Sequence, residues 1–304
     1  MLTKICKLYQ PGQSAVYATL TDDDWVVPFY GLSQTSYKTL ADLQTAALLN
    51  GETLAEHVGY LVARTPASNR LPLSALAHAP DPSRPYLLPP LDNHEVWAAG
   101  VTYQRSRTAR MEESSEASIY DRVYEADRPE IFFKTNPHRV SGPGGPIRVR
   151  RDSAWNVPEP ELALVLDSSL RLLGYTICND MSSREIEGAN PLYLPQAKIY
   201  SGCCALGPFI LLADPEEENP EFTINCRIYR DNDKIYEGET STARMKRGFE
   251  DLIHWLGKEN QYPDGVILST GTGIVPPTEF TLKIGDRVEI EVENIGVLSN
   301  PVVE

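Results

Sequence analysis

Residues 158–200 read PEPELALVLDSSLRLLGYTICNDMSSREIEGANPLYLPQAKIY, and no other stretch constrains the fold as much. Glu159 and Glu161 open an apolar run. Side chains alternate along a strand, so both carboxylates fall on one side of a sheet. Asp167, Ser168 and Ser169 are turn formers. A second strand is expected over Leu170–Cys178, ending at Asn179-Asp180. An antiparallel hairpin of this kind returns Asp180 to the start of the first strand. Three carboxylates converging on one point suit a hard divalent cation such as Mg²⁺, with coordination positions left for substrate. Arg184 and Lys198 follow, two cations able to hold the far side of an anionic ligand. A lone i, i+2 carboxylate pair is also what the solvent face of a half-buried strand looks like. Asp180, Arg184 and Lys198 are what such a face does not need.

The rest of the composition narrows the partners. A formal charge of −14 on 304 residues, with no basic stripe, excludes nucleic acid and anionic membrane surfaces as natural partners. A small anion is still permitted, because local cations overrule net charge. The five cysteines, Cys6, Cys178, Cys203, Cys204 and Cys226, form no C-x-x-C spacing and read as reduced thiols of a cytoplasmic protein. No apolar run approaches a membrane span.

Taken in order, residues 2–30 alternate as short strands and residues 36–66 carry helical spacing broken at Gly51. The Pro- and Ser-rich stretch 65–90 reads as the passage from a small N-terminal domain, residues 1–85, into a main domain, residues 86–304. A strand from Glu95 leads into the charged, helically spaced segment Gln104–Asp127. This segment reads as a solvated helix placed where a lid would be. After the central hairpin come a further hairpin with Asp231-Asn232-Asp233 at its tip, and an amphipathic helix over residues 244–261. Met245, Phe249, Leu252, Ile253 and Leu256 share one face of that helix. Thr270-Gly271-Thr272-Gly273 lacks the Lys of a phosphate-binding loop, but its amides and the Thr272 hydroxyl suit a carboxylate.

These motifs together resemble the fumarylacetoacetate hydrolase superfamily: Glu159-Pro160-Glu161-Leu162-Ala163, Gly174 to Arg184, Lys198, Leu206-Gly207-Pro208, Gly271-Thr272-Gly273, Gly285-Asp286-Arg287-Val288 and Ile295 to Asn300. The match runs over roughly residues 90–304. The resemblance implies an α+β fold, a β-rich mixed β-sandwich roll with a small N-terminal α/β domain. It also implies a Mg²⁺ or Mn²⁺ ion, a 2-oxo acid substrate and a homodimer or homotetramer. Within the superfamily, EGANPLYLPQAKIY is most similar to the branch that dehydrates 2-keto-3-deoxy sugar acids, such as 2-keto-3-deoxy-D-arabinonate to 2,5-dioxopentanoate. Carried over by position, Glu159, Glu161 and Asp180 hold the metal, and Arg184, Lys198 and Thr272 surround the substrate. Hydrolytic relatives carry Gly-x-Asn-Tyr-x-x-His, whose His helps activate water. Here the stretch is Gly100 to Ser106, so Ser106 stands where that His would be, beside the expected substrate.

A missing general base favours elimination over hydrolytic C–C cleavage. Removing a C3 proton and expelling the C4 hydroxyl needs a base and an acid. Lys198 and the lid acids Glu112 and Glu113 are the candidates, Lys198 as a base only if its pKa is lowered. An acylpyruvate-type hydrolase is the second reading, with a non-catalytic carboxylate-binding module last.

Overall fold

The computed structural model describes residues 2–29, 37–113, 117–217 and 220–304. Among these, a 12-stranded mixed sheet runs through the molecule. Its central order is Lys4–Tyr9, Cys204–Leu212, Leu172–Asp180, Pro160–Leu166, Val266–Ser269, Glu95–Gly100 and Glu130–Thr135. A second sheet of five strands is built on the hairpin Thr223–Arg230 and Asp233–Ser241, with Arg287–Val292 and Gly296–Val303 beside it.

Two of the central strands, Pro160–Leu166 and Cys204–Leu212, are buried at every position. That is why they read as unbroken apolar runs. Leu162, Leu164 and Leu166 pack with Ile224, Val288, Ile290 and Leu298 of the five-stranded sheet. Val165 and Ile210 face the other way, onto Leu40, Leu43, Val58 and Leu61. Each such side chain contributes roughly 1.5–3 kcal/mol when removed from water. Those last four residues belong to helices Leu40–Asn50 and Leu54–Arg64, each begun by a threonine capping box, Thr39 with Asp42 and Thr53 with Glu56. Gly51 ends the first helix at φ 70°, in the left-handed region.

The N-terminal strands do not form a sheet of their own. Lys4 and Ile5 pair with Leu211 and Ile210, so the main sheet continues into residues 1–85. Two of the expected details also move. The helix within residues 244–261 spans only Phe249–Leu256, because Met245 bridges Tyr103 and Gly248 becomes the N-cap. The second strand of the central hairpin runs Leu172–Asp180, so it carries Asp180 itself. At the tip of the later hairpin, Asp231 and Asn232 both have positive φ, 51° and 70°, as a two-residue turn requires.

Candidate active site

The central hairpin fixes the first part of the site. Pro160 pairs with Asn179 and Glu161 with Cys178, and the Asp180 amide donates to the Glu159 carbonyl at 3.0 Å. Glu159, Glu161 and Asp180 are all buried, and carboxylate oxygens of the three lie within 4.8 Å of one another. Glu161 Oε2 accepts from the Ser269 hydroxyl at 2.6 Å and the Gly271 amide at 2.8 Å. Gly271 sits at φ 91°, and a Cβ there would lie 2.1 Å from Thr102 Oγ1, so the turn that aims this amide requires glycine. The Gly-Thr-Gly turn thus does bind a carboxylate, and the carboxylate is the protein's own.

Four cations close around these acids. Lys198 Nζ lies 2.9 Å from Glu159 Oε2, 3.1 Å from Asp180 Oδ2 and 2.7 Å from Ser182 Oγ. Arg184 reaches Glu159 at 3.2 Å and Glu113 at 3.3 Å. Arg110, from the helix Gln104–Glu113, reaches Glu159 at 2.8 Å and Glu187 at 2.6 Å. Lys134 contacts Asp180 Oδ1 and donates to the Met181 carbonyl at 2.9 Å, with no solvent exposure.

The pairing sets the charges. Burial opposes ionisation of Glu159, but Lys198 and Arg110 outweigh it and pull its carboxyl down to about 2. Glu161 is pushed well above the carboxylate range by burial and by its neighbours Asp180 and Glu159. Burial also opposes the Lys198 charge, yet Asp180, Glu159 and Glu187 hold its pKa above the ordinary ammonium value. These acids favour the ammonium form of the lysine, a donor. Glu130 is raised to about 7 by burial and by Glu187, and Glu113 to about 7 by burial. Burial raises Glu187 as well.

The acids and cations surround a narrow chamber of about 10 Å³, roughly one water-sized sphere. Ser106, Thr272, Glu159, Asp180 and Lys198 line it. Arg184 stands behind, held by Glu159 and Glu113. Thr272 also bonds locally, its hydroxyl accepting from the Ile274 amide at 3.1 Å. Glu113 meets the arginines at the rim, whereas Glu112 is exposed on the outer side of its helix.

Four site residues escaped the sequence reading: Arg110, Glu130, Lys134 and Glu187. Periodicity carried a signal for three of them. Ser106, Arg110 and Glu113 recur at four and three residues on one helix face. Glu130, Phe132 and Lys134 alternate on one strand face, and Glu130 and Phe132 line the chamber. Glu130 reaches it by crossing Gly100, its strand partner, where a Cβ would lie 2.0 Å from Glu130 Oε2.

The donor set fits a divalent cation. Glu113, Glu130, Glu159, Glu161, Asp180 and Glu187 face Lys134, Lys198, Arg110 and Arg184. Six carboxyls against four cations leave two negative charges uncompensated when all are ionised. The raised Glu161 pKa registers that excess, and hard oxygen donors are what Mg²⁺ prefers.

Residues 95–303 match the fumarylacetoacetate (FAA) hydrolase C-terminal family. A probable 2-keto-3-deoxyxylonate dehydratase of Haloferax volcanii is 49% identical over 213 residues, 70% of this chain and 73% of its own. The 2-dehydro-3-deoxy-D-arabinonate dehydratase of Saccharolobus solfataricus is 49% identical over 218 residues, with the same coverage. A solved 2-keto-3-deoxy-D-arabinonate dehydratase complexed with magnesium and 2,5-dioxopentanoate superposes with a TM-score of 0.80 at 37% identity, over 98% of both chains. The buried Glu159–Glu161–Asp180 triad, the sheet that carries it and these likenesses agree: the chain belongs to the fumarylacetoacetate hydrolase family.

Proposed function

We propose that the protein is a Mg²⁺-dependent dehydratase of 2-keto-3-deoxy sugar acids, converting 2-keto-3-deoxy-D-arabinonate to 2,5-dioxopentanoate. The observation that carries the reading is the buried carboxylate triad beside a chamber that Glu159, Asp180 and the raised Glu130 line, with no histidine among its lining residues. The 49% identity to two dehydratases supports it.

Glu159, Glu161 and Asp180 would hold the ion, which when bound binds the 2-oxo acid group and makes C3 more acidic. Lys198, kept cationic, donates to the substrate carboxylate or keto oxygen. Arg184 and Arg110 hold Glu159 and Glu113 in place, and Thr272 and Ser106 flank the substrate. Glu130 takes the C3 proton as a carboxylate and returns it to the departing C4 hydroxyl. A carboxyl poised near 7 can serve both steps. The C5–H proton then leaves as C3 is protonated, moving the double bond to C4–C5, and this enol loses its O–H proton as C4 is protonated, leaving the aldehyde. Glu113 stays on the lid, closing the rim.

The reading is tested with a 2-keto-3-deoxypentonate in D₂O, followed by NMR. Loss of the 4-hydroxyl and an aldehyde product, with deuterium at C3, are expected. Pyruvate and a second fragment would mean that C–C cleavage is the activity. Five buried, unpaired thiols support a reducing, cytoplasmic setting. The family resemblance supports a homodimer or homotetramer, which sedimentation would measure. The turn-rich stretch before residue 86 supports the division into two domains, which limited proteolysis would probe.

A further inference from the structure

Beside the chamber lies a far larger cleft, about 610 Å³ on the same measure. The two share a wall. Ser106 and Thr272 face the chamber, and their chain neighbours Arg105 and Gly273 face the cleft. Tyr103 stands between. Its ring packs where a Cβ on Gly273 would be, 2.7 Å away, and its hydroxyl lies close enough to Glu161 to feel that charge. Tyr103 is 1% exposed, and its hydroxyl has no hydrogen-bond partner. A buried hydroxyl left unpaired is unfavourable, so a ligand group that meets it is favoured.

The cleft also differs in charge from the rest of the chain. Arg105 and Arg244 both line it, exposed and without an ion pair or hydrogen bond among the described residues. The neighbouring Arg107, Arg110 and Arg247 are all bound to carboxylates. Glu239 on the rim is the one acid among the lining residues, leaving the cleft net positive in a protein of charge −14. Its carboxylate, with the Thr108 and Thr240 hydroxyls, suits sugar hydroxyls.

We infer that this cleft is a tail subsite that selects 2-keto-3-deoxy acids carrying a second carboxylate at the far end, held by Arg105 and Arg244. The inference rests on the dehydratase reading and adds the substrate's remote anion to it. The step balances without a further reactant. A six-carbon 2-keto-3-deoxy diacid loses its C3 proton and C4 hydroxyl as water. The C5–H proton then leaves as C3 is protonated, giving the C4–C5 enol, and the enol's O–H proton leaves as C4 is protonated, so the C5 carbinol becomes a ketone and the product is a 2,5-dioxo diacid. The reaction that supplies this substrate must itself be a dehydration of a sugar diacid.

Three substrates separate the possibilities: a 2-keto-3-deoxypentonate, a neutral-ended 2-keto-3-deoxyhexonate and a 2-keto-3-deoxyhexarate. For the Mg²⁺-loaded enzyme, kcat/KM for the hexarate should exceed that for the hexonate by about tenfold to a hundredfold, as charge-assisted hydrogen bonds allow. The effect should lie in KM and shrink with salt. The double variant Arg105→Gln/Arg244→Gln should lose this preference while turning over the pentonate as wild type does. Equal use of hexarate and hexonate by wild type, or a preference that survives in the double variant, overturns the subsite. A wild type that dehydrates none of the three overturns the dehydratase reading as well. Turnover of the hexarate but not the pentonate keeps the subsite and corrects the substrate length.

Discussion

Glu130 and Gly100 offer a test of the proton-transfer assignment that removes no charged group from the metal triad. Gly100 has ordinary negative-φ backbone, so alanine is sterically allowed by the chain itself. The obstacle is the Glu130 side chain, whose Oε2 and Cδ would lie 2.0 and 2.6 Å from the new Cβ. Contacts that short do not exist, so the carboxyl must swing out of the chamber into another rotamer. That costs the fold about 0.5–1.5 kcal/mol if the new rotamer is strained. It costs catalysis far more. A general base contributes ~10²–10⁴-fold, which is about 2.7–5.4 kcal/mol of barrier. Gly100→Ala should therefore lower kcat/KM by that range, with a melting temperature near wild type. Glu130→Gln should do the same, and the double variant should be no worse than either, since both remove one group. The pH profile gives a second check. Glu130 acts as a carboxylate in the free enzyme, and its carboxyl is raised to about 7. Lowering the pH through 7 protonates it, so kcat/KM should fall on the acid side and level off above. That limb should vanish in Glu130→Gln. A fully active Gly100→Ala enzyme, or an acid limb unchanged in Glu130→Gln, would refute the assignment.

Other outcomes follow from the same geometry. Chelation should abolish activity and Mg²⁺ restore it, whereas Glu159→Gln, Glu161→Gln and Asp180→Asn should stay inactive at any Mg²⁺ concentration; activity in a chelated sample would end the metal reading. Lys198→Met should lower kcat by about 10²-fold or more, and unlike a lost base it should leave the acid limb near pH 7 in place. Arg184→Ala should weaken a 2-oxo acid inhibitor by ~1–3 kcal/mol in calorimetric titration, because Glu159 and Glu113 lose a fixed partner. Lys134→Met should cost about 1–3 kcal/mol in denaturant unfolding, since it leaves the buried Met181 carbonyl without this donor and Asp180 with Lys198 as its remaining cation.

Much of this protein is local and was legible in the residues. Alternation and turn chemistry placed the central hairpin, and its register alone brings Asp180 back to Glu159. Helical spacing broken at Gly51 marked the two N-terminal helices, and the motif order carried the family. What the sequence could not decide depended on elements far apart in the chain. The charge on Lys198 is one case: two of its acids lie 18 and 39 residues away, and the combined field of its acids, acting against burial, favours the ammonium. Arg110, Lys134 and Glu130 are another. Arg110 fell in a segment that reads as a solvated helix, and periodicity gives a face and not what the face meets. Only the sheet order, which sets Glu95–Gly100 beside Glu130–Thr135 and near the triad, turns those faces inward. Glu112 and Glu113 differ by one position, about 100° around a helix, and packing alone chooses the one that meets the arginines. Local pattern fixes which atoms can share a side; long-range packing fixes what stands opposite, and hence every charge state in the site.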